Sequence, residues 1–158
     1  MKYYRKVLVK LITDYVEDVA HIHGVEVGVA AAKTSKHLLD KLPGLKLMGV
    51  DPYMVARGEY AATEDSFAMR SQEDHDGTFA MAIERMLPYM EAQRYSLAKV
   101  PSIWAATQIF KPASQDFVFI DGDHSYEGVL SDLIAWWPIL KPGALFCGHD
   151  YMEPDPGE

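Results

Sequence analysis

DFVFIDGDHSYEGVLSDLIAWWPILKPGALFC, which runs from Asp116 to Cys147, is the stretch of sequence that decides the fold. Its opening five residues, 116–120, consist of Asp116 and a short apolar run that ends before Asp121, which predicts a buried β-strand. A helix is predicted next, because apolar residues recur at the helical period at Tyr126, Val129, Leu130, Leu133, Ile134 and Trp137. Pro138 should end or kink that helix, Pro142-Gly143 should form a turn, and residues 144–147 should form another strand.

The same alternation of strand and helix extends upstream. Helices are predicted at residues 3–20, from Thr34 or Ser35 to Leu42, and at 79–89 and 102–108; strands are predicted at 25–29, 45–50 and 93–98. Residues 52–78 are polar and mixed, which suggests an insertion or lid with a short helix near 66–69. This alternation predicts one α/β domain over residues 1–158, a Rossmann-like parallel sheet with helices on both faces that ends after its fifth strand.

Composition excludes several classes of function. The formal net charge of −8 argues against a nucleic-acid partner, because binding of phosphates needs clustered lysine and arginine. No apolar run approaches the roughly 20 residues that a membrane-spanning helix needs, and no signal peptide is evident. We therefore expect a soluble, cytoplasmic protein. Cys147 is the only cysteine, so no disulfide can form within the chain.

Polar residues collect where the predicted strands end. Because ligands of open parallel sheets bind beyond the carboxyl ends of the strands, a shared site is expected there. Burying so many acids without a partner would be unfavourable, which favours a ligand or metal; alternatively, each residue is an exposed helix cap. The residues concerned are Glu26, Gly28, Asp51, Asp121, His149 and Asp150.

The first predicted strand leads into a turn with one glycine, Gly28, in the sequence Val25-Glu-Val-Gly-Val-Ala-Ala-Ala32. A dinucleotide site would normally show three spaced glycines, so this turn disfavours a nicotinamide cofactor. Asp51 follows about 20 residues later at the end of the next strand, where a carboxylate can accept hydrogen bonds from ribose hydroxyls. The alternative role of Asp51 is a turn aspartate before Pro52.

Taken together, these motifs resemble class I S-adenosylmethionine-dependent methyltransferases, in the subgroup that includes metal-dependent sugar O-methyltransferases and cephalosporin-modifying enzymes. The resemblance is strongest from Asp116 to Tyr151 and also covers Glu26 to Tyr53. It implies S-adenosylmethionine as cofactor. Ala32 stands where the family usually has its last glycine, and Pro101 stands where it often has an acid.

Carried onto this chain, the resemblance implies a set of cofactor contacts. Glu26 and Gly28 would hold the methionine end of the cofactor, and Asp51 its ribose. Ser102 and Ile103 would flank the adenine. The remaining cofactor contacts implied are Tyr53 and Asp121.

The same resemblance implies a divalent metal, Mg²⁺ or another ion, bound by Asp121 and Asp150. Position 149 is commonly acidic in the metal-binding relatives, and His149 here also suits a borderline metal. His124 could remove a proton from a substrate hydroxyl near neutral pH, with Asp121 as the second catalytic residue. Alternatively, residues 123–125 only cap the helix that follows.

The expected activity is methyl transfer to a hydroxyl of a small molecule, with metal assistance. Two alternatives stay open: a degenerate methyltransferase fold that serves as a binding or structural subunit, and a nicotinamide-dependent oxidoreductase. The family fold usually adds strands after the fifth, so we expect the edge of that strand to be covered. Residues beyond 158, a second copy of the chain or another partner would cover it.

Overall fold

The computed structural model describes residues 3–63 and 66–149. The helices are α1 (Tyr3–Tyr15), α2 (Lys33–Lys41), α3 (Gln72–Glu91), α4 (Ser102–Gln108) and α5 (Tyr126–Trp136). The strands are β1 (Ile22–Val27), β2 (Leu45–Val50), β3 (Tyr95–Ala98), β4 (Gln115–Ile120) and β5 (Leu140–Gly148). Short 3₁₀ turns lie at Tyr60–Ala62 and Trp137–Ile139.

The five strands form one parallel sheet in the order β3-β2-β1-β4-β5. The central strand β1 pairs with β2 on one side and with β4 on the other, so the strand order reverses between β1 and β4. A crevice opens at the carboxyl ends of the strands at such a reversal. The sheet confirms the predicted Rossmann-like α/β fold, and its five strands overlap those that the sequence predicted, although β1 lies at Ile22–Val27 where residues 25–29 were predicted.

Alternating residues of the strands supply the two faces of the sheet. Phe117 of β4 packs with α1, α2 and α3, whereas Val118 packs on the opposite face with α4 and α5. Both side chains are fully buried. This alternation follows from the pleat of a strand, and it places helices on both faces as expected. Burial of each such side chain contributes about 1.5–3 kcal/mol, which makes these two layers the main source of stability.

Two predicted helical segments were wrong at their boundaries. α1 ends at Tyr15, not at residue 20, and the exposed Val19 lies beyond it. In the predicted insertion, α3 already begins at Gln72, because Ser71 and Asp74 form a capping box that satisfies free amides of its first turn. Residues 72–78 are therefore helical, and residues 66–69 form turns where a short helix was predicted.

The last strand also differs from the prediction. β5 begins at Leu140 and includes Pro142 and Gly143, which were predicted as a separate turn. The pairing register shifts between Gln115 and Phe117 of β4 opposite this point. β5 lies at the edge of the sheet, where a proline costs no central hydrogen bond, so the strand accommodates it as an irregularity. Within the described ranges, no helix is long and apolar enough to span a membrane.

Candidate active site

A cavity of about 1070 Å³ opens at the carboxyl ends of the central strands. Glu26 at the end of β1, Asp51 after β2 and Asp121 after β4 all line it. The parallel topology brings them together because all three strands point to the same edge. The structure thus places three acids predicted for the site in the wall of one cavity large enough for a nucleoside ligand.

The turn after β1 is built around Gly28, whose φ of +84° lies in the left-handed region. A Cβ atom at this position would lie 2.1 Å from the backbone oxygen of Asp121, so only glycine fits. Ala30 and Ala32 also have positive φ, 46° and 54°. Ala32 therefore adopts a left-handed conformation that favours glycine, at some cost in strain.

The carboxylate of Asp51 stabilises this turn through hydrogen bonds. Its Oδ2 accepts the backbone N–H groups of Val29 and Ala30, both at 2.9 Å, and its Oδ1 accepts that of Tyr53 at 2.8 Å. The Tyr53 hydroxyl donates to the carbonyl of Ala30 at 2.8 Å. These hydrogen bonds give Asp51 the role of a turn aspartate, which the sequence left open as an alternative. Its carboxylate retains capacity for a further donor, so the predicted ribose contact stays a prediction.

Glu26 is almost fully buried, with 1% of its surface exposed. Its carboxylate accepts a hydrogen bond from the hydroxyl of Ser35. Burial raises the pKa of Glu26 to about 8, the negative charge of Asp121 raises it further, and the Ser35 hydrogen bond and the positive charge of Arg5 oppose the shift. A buried acid in a cavity wall that lacks an ion-pair partner among the described residues is a suitable receptor for a cationic group.

Two histidines approach Asp121. His149 Nδ1 lies 3.4 Å from Asp121 Oδ1, and His124 Nε2 lies 3.8 Å from the same oxygen. The ring of His149 also packs against Tyr4, with 4.2 Å between the ring centres. Asp150, the other predicted metal ligand, lies outside the described residues. Within those residues, no group of three or more histidine, cysteine or acidic side chains is placed to hold a metal ion.

The predicted adenine side of the cavity contains a hydrogen-bonded network. The Ser102 hydroxyl donates to the carboxylate of Asp132 and accepts from Trp136 Nε1 at 2.8 Å. Asp132 is buried, which raises its pKa to about 6. Ile103 lines the same wall and is 41% exposed. Ser102 is therefore fixed by two partners, and Ile103 presents an apolar surface to the cavity.

Sequence comparison identifies the family. Residues 24–151 match a family described as a methyltransferase domain, which is most of the 158-residue chain. The chain belongs to this methyltransferase family. Its five-stranded parallel sheet with helices on both faces is the class I methyltransferase fold. No curated protein sequence matches the chain.

Solved structures with a similar fold include three methyltransferases. A protein described as a caffeoyl-CoA O-methyltransferase from Staphylococcus aureus aligns with a TM-score of 0.64 at 12% identity, over 94% of this chain and 57% of that one. Phosphoethanolamine N-methyltransferase 2 from Haemonchus contortus aligns with a TM-score of 0.58 at 16% identity, over 91% of this chain and 27% of that one. Geranyl diphosphate C-methyltransferase from Streptomyces coelicolor aligns with a TM-score of 0.56 at 11% identity, over 89% of this chain and 43% of that one. The chain spans little more than half the length of the first of these relatives, and less of the others.

Membership of the methyltransferase family argues against the nicotinamide-dependent alternative. It agrees with the single-glycine turn at Gly28, which gives a pyrophosphate little room. The three neighbours act on different atoms according to their names, an oxygen, a nitrogen and a carbon. The fold therefore does not choose the acceptor atom, which depends on the residues of this cavity.

The sequence analysis did not predict several residues of this cavity. His75 and Asp132 both line it, and neither was among the predicted site residues. No local pattern marks these residues, because their side chains reach the cavity only through tertiary packing. The other cavity residues missed are Arg5, Arg70, Thr78 and Arg85.

Proposed function

We propose that this chain binds S-adenosylmethionine and transfers its methyl group to a hydroxyl of a small molecule. One observation carries the proposal: the buried carboxylate of Glu26 shares a cavity wall with Asp51 and Asp121, around the constrained turn at Gly28. Family membership supports the methyl-transfer chemistry. The choice of a hydroxyl acceptor rests on His124 beside Asp121.

The cofactor would lie along the carboxyl ends of β1, β2 and β4. Glu26 would accept the ammonium group of the methionine end, because a buried carboxylate gains most from a cationic partner. The remaining hydrogen-bonding capacity of Asp51 suits a ribose hydroxyl. Ser102 and Ile103 would border the adenine, with Ile103 offering an apolar surface to the ring. When bound, the cofactor supplies an electrophilic methyl group on a sulfonium.

His124 is the proposed general base. It lines the cavity, and its Nε2 lies 3.8 Å from the carboxylate of Asp121, which would stabilise the imidazolium after proton transfer. The acceptor oxygen would give its proton to His124 as it takes the methyl group that the bound cofactor would supply, and S-adenosylhomocysteine would be left as the product. The cavity walls would align the oxygen and exclude water.

Metal assistance remains a separate proposal based on the family resemblance. Asp121 and His149 are two of its three predicted ligands, and their side chains lie 3.4 Å apart. Since the described residues do not form a complete ligand group, the step above depends only on His124 and Asp121.

Binding of S-adenosylhomocysteine, measured by thermal shift and calorimetry beside NAD, tests the proposal. At 100 times its Kd the product should stabilise the protein by about 2.7 kcal/mol. Glu26→Gln should weaken binding, whereas Glu84→Gln, an exposed change outside the cavity, should not. A degenerate fold that serves as a binding or structural subunit is the second candidate, since Ala32 and Pro101 replace family residues. Absence of binding at millimolar product would favour that candidate and contradict ours.

A further inference from the structure

The arginines of this acidic chain are concentrated around the cavity. The sequence contains five, Arg5, Arg57, Arg70, Arg85 and Arg94, and all but Arg94 line the cavity. In residues 3–63 and 66–149, every salt bridge uses lysine or histidine, and none uses arginine. Among those residues, a protein of net charge −8 therefore keeps four guanidinium groups at its cavity without a salt bridge to a carboxylate.

Two of these arginines adjoin the region proposed for the cofactor. Arg5 donates to Thr34 at 3.1 Å and acts electrostatically on Glu26. Arg85 donates to the carbonyl of Ala31 in the turn after β1. Both groups therefore belong to the side of the cavity where the methionine end of the cofactor would lie.

Arg70 makes its contacts with another group of cavity residues, which we call the acceptor wall and define as Phe67, Arg70, His75 and Thr78. The Arg70 guanidinium stacks on the Phe67 ring, with 3.8 Å between its Cζ and the ring centre. Its Nη1 donates to Thr78 Oγ1 at 3.3 Å, and that hydroxyl donates to the carbonyl of Asp74 at 2.8 Å. These contacts hold the guanidinium in place and leave most of its five N–H donors available.

Within the described residues, the nearby carboxylate of Asp74 does not form a salt bridge with this group. The pKa of Asp74 is lowered mainly by its hydrogen bonds with Ser71 and less by the positive charge of Arg70. In the cap of α3, Asp74 Oδ2 accepts hydrogen bonds from the backbone N–H and the hydroxyl of Ser71. Because that carboxylate is committed to the cap, the guanidinium remains able to bind another anion.

His75 adds an unsatisfied polar atom to the acceptor wall. The residue is 9% exposed, and its buried Nε2 has no hydrogen-bond partner within the described part of the chain. A buried polar atom without a partner is unfavourable by about 1–3 kcal/mol and calls for an explanation. His75 and Thr78 lie one turn apart on the same face of α3, so a ligand at Thr78 would also be near His75.

Apolar side chains also line this cavity. Among them are Met54 and Val55 from the segment after β2 and Met81, which lies one turn after Thr78 on α3. A ligand that fits these side chains carries an anionic head for Arg70 and an apolar body. The acids Asp121 and Asp123 line the same cavity, and they would repel a negative charge from their own surroundings.

We propose that the methyl acceptor is a small organic acid, and that the acceptor wall binds its carboxylate or phosphate while its hydroxyl reaches His124. This inference rests on the proposed methyltransferase function and specifies its substrate class. The fixed guanidinium of Arg70 provides the charge, and Thr78 and His75 provide further polar contacts to the anionic oxygens. A neutral acceptor would leave Arg70 desolvated without a counter-charge, which gives the wall its selectivity.

The test uses three probes of similar shape, namely benzoate, phenyl phosphate and benzyl alcohol. Each is titrated by NMR into the full chain saturated with S-adenosylhomocysteine, so that the cofactor side is already filled. We expect at least one anion to bind about tenfold more tightly than benzyl alcohol, which is the discrimination that a charge-assisted contact provides. The preferred anion then identifies the head group as a carboxylate or a phosphate.

Variants connect that preference to the acceptor wall. Arg70→Gln should abolish the preference for anions, and Arg70→Lys, which keeps the charge but not the planar fork, should retain part of it. Lys111→Gln makes the same change of charge at an exposed position outside the cavity and should behave like the wild type. Unchanged affinity for S-adenosylhomocysteine would show that each variant is folded.

The outcomes separate the two proposals. Equal binding of benzoate, phenyl phosphate and benzyl alcohol to the S-adenosylhomocysteine complex overturns the acceptor assignment and leaves the methyltransferase function intact. An anion preference that survives in Arg70→Gln also overturns it. Failure of S-adenosylhomocysteine itself to bind overturns the proposed function instead.

Discussion

The hydroxyl of Ser35, at the start of α2, donates a hydrogen bond to the carboxylate of Glu26, at the end of β1, inside the wall of the cavity. This contact partly compensates the burial of Glu26, yet burial still raises the pKa of that carboxyl to about 8. The acid is therefore mostly protonated at neutral pH while no cation is bound. Binding of a cationic ligand would favour the ionised form and release a proton.

Affinity for S-adenosylhomocysteine should consequently depend on pH. If the ammonium group binds ionised Glu26, the affinity should rise about fivefold between pH 7 and 8, where a group with this pKa loses its proton. Calorimetry in buffers with different ionisation enthalpies should detect the released proton. Glu26→Gln should show weaker binding with no such pH dependence, whereas Glu84→Gln should match the wild type. A flat affinity profile in the wild type would contradict the role of Glu26.

Stability of the free protein should change with pH in the opposite direction. Glu26 has a higher pKa folded than unfolded, about 8 against 4.5, so the folded state binds more protons between these values. The free energy of unfolding should thus fall by about 1 kcal/mol from pH 7 to 8. Burial lowers the pKa of His37, so the protonation of His37 changes mainly below pH 7. Denaturant titrations should show the decrease in the wild type and not in Glu26→Gln; equal decreases in both would contradict the assignment.

Gly28→Ala should destabilise the protein by about 2 kcal/mol or more, because a β-carbon at positive φ is strained and would also collide with the backbone oxygen of Asp121. Gly122→Ala is the matched control, since its β-carbon would meet no atom closer than 3.7 Å. Thermal unfolding of both variants provides the measurement. Similar melting temperatures for the two would show that the turn is not constrained as described.

His124→Ala should lower kcat by about 10²–10⁴-fold with a substrate acceptor, because removal of a general base has an effect of this size. Affinity for S-adenosylhomocysteine should be little changed, since the proposed role concerns the acceptor proton. The alternative, that residues 123–125 only cap α5, predicts lower stability with near-normal turnover. The hydroxyl of Ser125 already caps that helix through Gly128 N at 3.1 Å, so Ser125→Ala is the control for a capping defect.

Metal removal tests the remaining expectation from the family resemblance. If Asp121, His149 and Asp150 hold a divalent ion, a chelator should lower turnover, and added Mg²⁺ should restore it. Asp121→Ala should lose the response to metal as well as the activity. Turnover that survives both the chelator and Asp121→Ala would exclude the metal role and also the catalytic role of Asp121.

Much of the fold could be predicted because its strands are short apolar runs that end at polar residues. The predicted bounds of β2 and α4 agree with the structure, and β4 differs by one residue. The predictions were wrong where polar segments form structure through capping or an edge position. α3 begins at Gln72 because of the Ser71 and Asp74 capping box, and β5 includes Pro142 because it is an edge strand.

The residues of the candidate site also include some that the sequence predicted and some that it could not. Glu26, Asp51 and Asp121 could be predicted because each lies at or just after the end of a recognisable strand, and parallel strands end at one edge. Arg70, His75 and Asp132 could not, since nothing near them in sequence distinguishes a side chain that faces the cavity from one that faces solvent. Asp51 shows an intermediate case. Its position was predicted, but its hydrogen bonds to the turn after β1 became evident only in the structure.

The sequence by itself determined the alternation of strands and helices, the single-glycine turn and the family, because these depend on local periodicity and on motifs of contiguous residues. Only the tertiary structure decided which side chains share the cavity. It also decided that Glu26 is buried beside Ser35, and that Arg70 stacks on Phe67 and donates a hydrogen bond to Thr78. The physical reason is that burial and the pairing of charges are properties of residues distant in the chain. They exist only after the sheet and its two layers of helices have packed.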